Sequence, residues 1–353
     1  MSVRVLVVDD TVTYRKILSE IVDSIDGMEL IGTAPNGKIA LDKVRALSPS
    51  LVLLDINMPV MDGLMALQKI RESFPGTEVV MVSSESGISA VNTIRALRSG
   101  AVEFIRKPDS SDNDANREIL KKRIEKVLPL VKKKQKQEPE NRQEAATPPK
   151  ITPVIKIKPV KPSILAIGVS TGGPEALHRV VPKLPASFPL PIAVVQHMPP
   201  VFTGALAAEL NRKSALNVVE ASEGEKMEPG KAVIAAGGKH MGIKQEKGAF
   251  YCYLSDAPPE NSCRPSVDFT FRSLALAAGS RGVLAVIMTG MGNDGALGVK
   301  ELKKGNCYCI TQTESSCVVY GMPRAVDEYG LSDQRVDLDR ISLKLIQIAG
   351  GGV

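Results

Sequence analysis

A chain of 353 residues exceeds what one hydrophobic core usually organises, so two domains are expected. Its apolar fraction of 43% suits two soluble cores, and no apolar run reaches the ~18 residues of a membrane-spanning helix. The net charge of +6 does not point to nucleic acid, because residues 121–161 hold 13 Lys or Arg against four acids, and acids outnumber bases in the rest of the chain. The basicity therefore belongs to a connector, not to a folded face that tracks phosphates. The N-terminus reads as a strand, not a signal peptide, so a cytoplasmic protein without direct membrane insertion is expected.

In chain order, the first 130 residues alternate strand and helix patterns. Val3–Val8 is a continuous apolar run ending in Asp9-Asp10, as a buried parallel strand would be. Ile17, Leu18, Ile21, Val22 and Ile25 then recur at helical spacing. Strands are expected at Met28–Thr33, Leu51–Leu54, Glu78–Val82 and Val102–Ile105, and a last helix over Asn116–Leu128. Five β/α units of this length imply a doubly wound parallel sheet over residues 1–128.

Ligands gather at the carboxyl ends of strands in such sheets. Asp9, Asp10 and Asp55 all fall there, and three carboxylates repel one another unless a cation such as Mg²⁺ lies between them. Ser83 ends the fourth strand and Lys107, before Pro108, follows the fifth. A hydroxyl and an ammonium in an acidic metal pocket suit a transient phosphoryl group on a carboxylate. Taken singly, each Asp is better read as a helix cap or turn former. With VDD at 8–10, D-x-N-M-P at 55–59, Asp62-Gly63, Ser83 and Lys107-Pro108 together, the segment resembles a response-regulator receiver domain, flavodoxin-like in fold. The resemblance implies that Asp55 takes a phosphoryl group from a histidine kinase. It also implies that Asp10, Asp55 and the Asn57 carbonyl hold Mg²⁺ with Asp9 in support, that Ser83 and Lys107 contact the phosphoryl oxygens, and that Phe104 is the aromatic switch.

From about Val131 to Pro162 the pattern dissolves into Lys, Gln, Glu and Pro, so residues 129–162 read as a solvated linker, which can also serve as a docking element. A second α/β pattern occupies 163–353. Its strands are expected at Ile164–Val169, Ile192–Gln196, Ala232–Ala235, Val283–Thr289 and Tyr308–Thr311, with Phe250–Leu254 as a hairpin excursion. Helices are expected at Pro174–Val181, Thr203–Arg212, Val267–Ala278, Gly295–Lys304 and Leu338–Ile348. Five cysteines without zinc-type spacing read as reduced, mostly structural thiols.

Ser170 lies in Gly168-x-Ser170-x-Gly172, between a hydrophobic strand and a helix that Pro174 can open. Alone, this pattern equally describes a Gly-rich phosphate loop. Of the three histidines, His178 reads as a surface residue, and His240 follows a strand where it can shape a site. His197 sits just past a strand end, within reach of a serine on a neighbouring strand. Asp294 lies in a third strand–turn–helix junction, where a cap and turn is the plainer reading. Together the three place a nucleophile, a base and an orienting acid on one sheet edge. No Asp lies between Ser170 and His240, so the chain order Ser–His–Asp separates this half from the common α/β-hydrolases.

With GVSTGGPEAL, VVQHMP, AAGGKHM, RPSVDFTFRSLA and TGMGNDGA, residues 163–350 resemble the chemotaxis protein-glutamate methylesterases, the CheB family. The resemblance implies hydrolysis of γ-glutamyl methyl esters on methyl-accepting chemoreceptors, with deamidation of certain receptor glutamines. It makes Ser170 the nucleophile, His197 the base, Asp294 the orienting acid and the Met291 amide an oxyanion donor with Thr171 as helper, without a cofactor. The receiver is expected to cover the Ser170 edge until Asp55 is phosphorylated, and the protein to act as a monomer. A non-enzymatic regulator with a nucleic-acid-binding output domain is the alternative, but no basic, groove-reading helix stands outside the linker. A nucleotide site ranks last, since neither GxxxxGK[ST] nor GxGxxG occurs.

Overall fold

The computed structural model describes residues 2–83, 87–107, 114–135, 162–279 and 281–350. It divides into two units. Pro108 and the connector from 136 to 161 lie outside the described residues.

The first unit runs β1 (Val3–Val8), α1 (Val12–Asp23), β2 (Met28–Ala34), α2 (Gly37–Leu47), β3 (Leu51–Asp55), α3 (Gly63–Ser73), β4 (Glu78–Ser83), α4 (Gly87–Arg98), β5 (Glu103–Arg106), α5 (Asp114–Glu125) and α6 (Leu128–Gln135). Its five strands pair in parallel in the order β2-β1-β3-β4-β5. The apolar run that predicted β1 is buried because this strand lies inside the sheet, with Val5 to Val8 at 0% exposure. Thr11 caps α1 by accepting from the Tyr14 N–H, and Ile17, Leu18, Ile21 and Val22 form the buried stripe. Asp62 caps α3 by accepting from the Met65 N–H.

The last helix differs from expectation. It begins at Asp114, ends at Glu125, and is followed by α6, which occupies residues assigned to the linker. Val127 and Val131 are buried in the core of this unit. Two apolar residues four apart make one helical face, and the lysines that follow had masked it.

The second unit runs β6 (Pro162–Val169), α7 (Gly173–Val180), β7 (Ile192–Gln196), α8 (Phe202–Lys213), β8 (Asn217–Glu220), β9 (Lys226–Met227), β10 (Lys231–Ile234), β11 (His240–Glu246), β12 (Ala249–Ser255), α9 (Val267–Ala278), β13 (Gly282–Ile287), α10 (Ala296–Leu302), β14 (Cys307–Gln312), α11 (Met322–Glu328), β15 (Gln334–Val336) and α12 (Leu338–Ala349). Seven strands form a parallel sheet ordered β15-β14-β13-β6-β7-β10-β8. The chain leaves β6 on the β7 side and later returns on the β13 side. The ends of these three strands therefore mark the switch point at which ligands bind in open α/β sheets. Residues 249–255 are indeed an excursion: β12 pairs antiparallel with β11 and β9 in a separate three-stranded sheet. Among the described residues no helix is long and apolar enough to cross a membrane.

Candidate active site and acidic pocket

The loops leaving β6, β7 and β13 carry Ser170, His197 and Asp294. The Ser170 N–H donates to the Thr289 carbonyl at 3.0 Å, while its carbonyl accepts from the Gly173 N–H at 2.7 Å and from Gln196 Nε2 at 3.0 Å. Gln196 Nε2 also donates to the His197 carbonyl at 3.2 Å, which ties the serine and histidine loops together. The two glycines of the G-x-S-x-G motif do different jobs. Gly172 takes the left-handed turn, with φ +76°. Gly168 is still in β6, and a Cβ there would lie 2.5 Å from Val267 Cγ1, so its role is to admit α9 against the strand.

His197 Nε2 and Asp294 Oδ2 are 2.7 Å apart. Asp294 sits at the N-terminus of α9 and accepts four further hydrogen bonds: from Val267 N–H at 2.7 Å, Asp268 N–H at 3.0 Å, Ser266 Oγ at 2.9 Å and Asn261 Nδ2 at 3.0 Å. Burial opposes its charge, but His197 and these helix amides prevail and hold its carboxyl well below the ordinary range. Burial likewise opposes the imidazolium of His197, but the hydrogen bond it donates to Asp294 and its contact with Cys263 prevail, lifting it to about 9. A carboxylate that stays ionised and fixes the Nε2–H tautomer is what an orienting acid must supply.

No hydrogen bond joins Ser170 Oγ to His197 in this structure. The second ring nitrogen, Nδ1, faces Cys263 Sγ at 3.4 Å. The structure thus brings His197 and Asp294 together and sets Ser170 on the adjoining strand end, with the serine–histidine contact left unmade. The Met291 N–H, in the loop after β13, donates to no described acceptor, and Thr171 is buried with its carbonyl accepting from Thr289 Oγ1 at 3.0 Å.

Several supporting residues escaped the sequence reading. Asp268 is buried beneath Asp294, its Oδ1 accepting from the Gly295 and Gly298 N–H groups. Burial, with the Asp294 charge adding to it, raises Asp268 to about 6 against the pull of these donors. His240 does shape the site. Its Nδ1 accepts from the Ser266 N–H at 3.2 Å, its Nε2 reaches the Pro258 carbonyl at 3.0 Å, and its ring stacks on Phe269. Ser266 and Asp268 were visible only as part of the RPSVDF segment. His178 is a correction: its side chain is 5% exposed and lies 3.6 Å from Glu209, because α7 turns that face inward and not to solvent. Of the thiols, Cys252, Cys307 and Cys309 are buried, and burial pushes Cys252 to about 11 and Cys307 to about 12, as expected of structural cysteines. Cys263 departs from that reading through its contact with His197.

In the first unit, ligand oxygens of Asp9, Asp10 and Asp55 lie within 4.8 Å of one another at the ends of β1 and β3. Lys107 Nζ reaches Asp9 at 2.7 Å and Asp55 at 3.0 Å, and lies over the Tyr14 ring, a neighbour the sequence did not suggest. Burial raises Asp55 to about 6, against the pull of Lys107. Asp55 pairs with Val82 in the sheet register, so Ser83 stands one position beyond it at the same edge. Asn57 follows in the loop after β3, exposed, and Phe104 is half-buried in β5.

Residues 5–124 match the family model of the response regulator receiver domain, and residues 165–345 match that of CheB methylesterase. These two matches define a response regulator with a methylesterase-type output domain. The chain belongs to the CheB methylesterase family. A protein-glutamate methylesterase/protein-glutamine glutaminase of Desulfotalea psychrophila is 42% identical over 359 residues, covering 98% of each chain. The protein of the same description from Thermotoga maritima is 40% identical over 347 residues, again covering 98% of each. The crystal structure of the Thermotoga maritima CheB methylesterase catalytic domain is similar over 54% of this chain and 100% of its own, with 43% identity and a TM-score of 0.52.

Proposed function

We propose that the chain is a phosphorylation-activated protein-glutamate methylesterase of the cytoplasm, acting as a monomer on methyl-accepting chemoreceptors and also deamidating receptor glutamines. The observation that carries the hydrolytic half is the His197–Asp294 pair beside Ser170 on three adjacent strand ends. Ser170 Oγ attacks the γ-ester carbonyl while His197 takes its proton through Nδ1, the ring nitrogen not held by Asp294. The Met291 amide, helped by Thr171, receives the oxyanion. His197 then protonates the departing methoxide, releasing methanol, and water splits the acyl-serine by the same proton route to give glutamate. Attack on a glutamine side chain releases ammonia instead.

In the receiver, Asp55 is the acceptor of a phosphoryl group from a histidine kinase. The close-set, hard-oxygen donors of Asp9, Asp10 and Asp55 fit a small divalent cation. Asp10, Asp55 and the Asn57 carbonyl would hold Mg²⁺, with Asp9 in support, and the ion would neutralise charge on the transferred phosphoryl group. Ser83 and Lys107 contact its oxygens, and Phe104 relays the change.

Methanol release from methylated receptor, with and without a small-molecule phosphodonor, tests both halves. Ser170→Ala is expected to abolish release, and Asp55→Ala to abolish the response to the phosphodonor while basal release persists. Full activity in the first variant removes the hydrolase reading; an intact response in the second removes the regulatory one.

The pH dependence follows from the same pair. An imidazolium cannot accept the Ser170 proton, and His197 is raised from 6.5 to about 9. Activity is therefore expected to increase with pH by up to about tenfold per unit and to level off only as His197 deprotonates. Initial rates of methanol release between about pH 6 and 10 measure this; a profile flat across the ordinary histidine range contradicts it.

A further inference from the structure

The segment between β12 and α9 makes an unusual approach to the His–Asp pair. Glu260 and Cys263 close a tight turn with two reciprocal backbone hydrogen bonds, Glu260 N–H to the Cys263 carbonyl at 3.1 Å and Cys263 N–H to the Glu260 carbonyl at 2.8 Å. Its two inner residues, Asn261 and Ser262, have φ +51° and +61°, the left-handed pair that a type I′ turn requires and that asparagine tolerates better than most residues.

The turn is exposed at its tip and pinned at its base. Glu260 pairs with Arg272 of α9, and Arg264 Nη1 donates to the Asp256 and Ala257 carbonyls at 3.2 and 3.3 Å. From this rigid base two side chains reach inward. Asn261 Nδ2 bridges Asp294 Oδ1 and Asp268 Oδ2, each at 3.0 Å. Cys263 Sγ meets His197 Nδ1 at 3.4 Å.

The consequence for the pair is geometric. The Asn261 bridge joins two carboxylates that would otherwise repel, and it fixes the oxygen of Asp294 that is not bonded to His197. Cys263 Sγ limits how far the imidazole swings about its bond to Asp294, and it gives way when Nδ1 takes up the Ser170 hydroxyl. The contact is a weak sulfur one, which an incoming serine proton can displace at little cost.

We propose that the Glu260–Cys263 turn is a two-point clamp on the His197–Asp294 pair, with Asn261 and Cys263 as positioning residues for the reaction. The proposal rests on the hydrolase reading above and adds residues that touch neither ester nor nucleophile.

The test uses the full chain, activated by phosphodonor, on methylated receptor. Asn261→Gly keeps the left-handed backbone and removes only the amide, so the turn is expected to survive. It should lower kcat by about tenfold or more with KM within about twofold, since misplacing a catalytic group costs rate before binding. Cys263→Ala should lower kcat as well, and Cys263→Ser, which keeps a hydrogen-bonding group, should recover part of the loss. In Asn261→Gly the low-field proton resonance of the His197 Nε2–H should shift or broaden, a change that a purely scaffolding turn would not produce. Wild-type kcat in either Asn261→Gly or Cys263→Ala, or an unmoved proton resonance, overturns the clamp. Ser170→Ala run alongside separates the two readings: activity retained there removes the hydrolase reading itself, whereas activity lost there and kept in Asn261→Gly removes only the clamp.

Discussion

Replacing Asp294 by Asn is expected to lower kcat for methyl-ester hydrolysis by about 10⁴-fold, the scale seen when a triad acid loses its charge but keeps its shape. Five donors converge on this carboxylate, from His197, Val267, Asp268, Ser266 and Asn261. An amide cannot satisfy all of them. If its oxygen takes the place of Oδ1, its NH₂ faces the Val267 N–H and His197 Nε2 and drives the imidazole proton to Nδ1, the nitrogen that must take the Ser170 proton. If it takes the place of Oδ2, the oxygen keeps His197 and Val267, but a buried NH₂ meets the Asp268 N–H and the Asn261 amide, which costs about 1–3 kcal/mol. The first orientation defeats the base, and the second destabilises the site. Steady-state methanol release and thermal unfolding of the variant measure the two costs, and a kcat within tenfold of wild type contradicts the role assigned to Asp294.

A second large effect is expected at a residue that carries no chemistry. Gly290, three residues beyond the end of β13, passes directly beneath Ser170: a Cβ there would lie 2.8 Å from Ser170 Cβ and 3.1 Å from its backbone nitrogen, and would press on Met322 Sδ. The Gly290 carbonyl is held by the Gly321 and Met322 N–H groups at 3.0 and 2.9 Å, so the backbone has little freedom to retreat. Gly290→Ala must therefore displace Ser170. A shift of about 1 Å in a reacting group costs on the order of 10² in rate, and the overpacking should lower stability by about 1–3 kcal/mol. Labelling of Ser170 by a serine-directed phosphonate reads the displacement directly; a labelling rate equal to wild type contradicts it.

Much of this arrangement was legible in the sequence because strand ends announce themselves. Apolar runs such as LVLLD and ILAIGV stop abruptly at a polar residue, and in a parallel sheet that stop is where chemistry collects. Asp9, Asp55, Ser170 and His197 stand at or just past such stops, whereas Asp294 lies seven residues past β13, in a Gly-rich turn that opens a helix. Residues that act on those residues have no such signal. Asn261 and Cys263 lie in an aperiodic stretch between β12 and α9, and their importance comes from a fold in the backbone that brings a surface turn back onto the sheet edge. Ser266 and Asp268 are the N-cap and a first-turn residue of α9, and only the packing of that helix against Gly168 places its end on Asp294. His178 and α6 were misread for one shared reason. Polar and charged neighbours diluted an apolar face that tertiary packing then used.

The central position of β6 has a consequence for synthesis. Its two neighbours come from opposite parts of the chain: β7 begins at residue 192, but β13 only at residue 282. A nascent chain that has emerged as far as α8 already carries Ser170 and His197, yet one flank of the nucleophile strand is bare and the acid has not been made. On the roles proposed for the three residues, hydrolytic competence is expected late in translation, once β13 pairs with β6 and Asp294 follows it. On the same roles, a stalled product that lacks the last quarter of the chain lacks Asp294 and is expected to hydrolyse no ester.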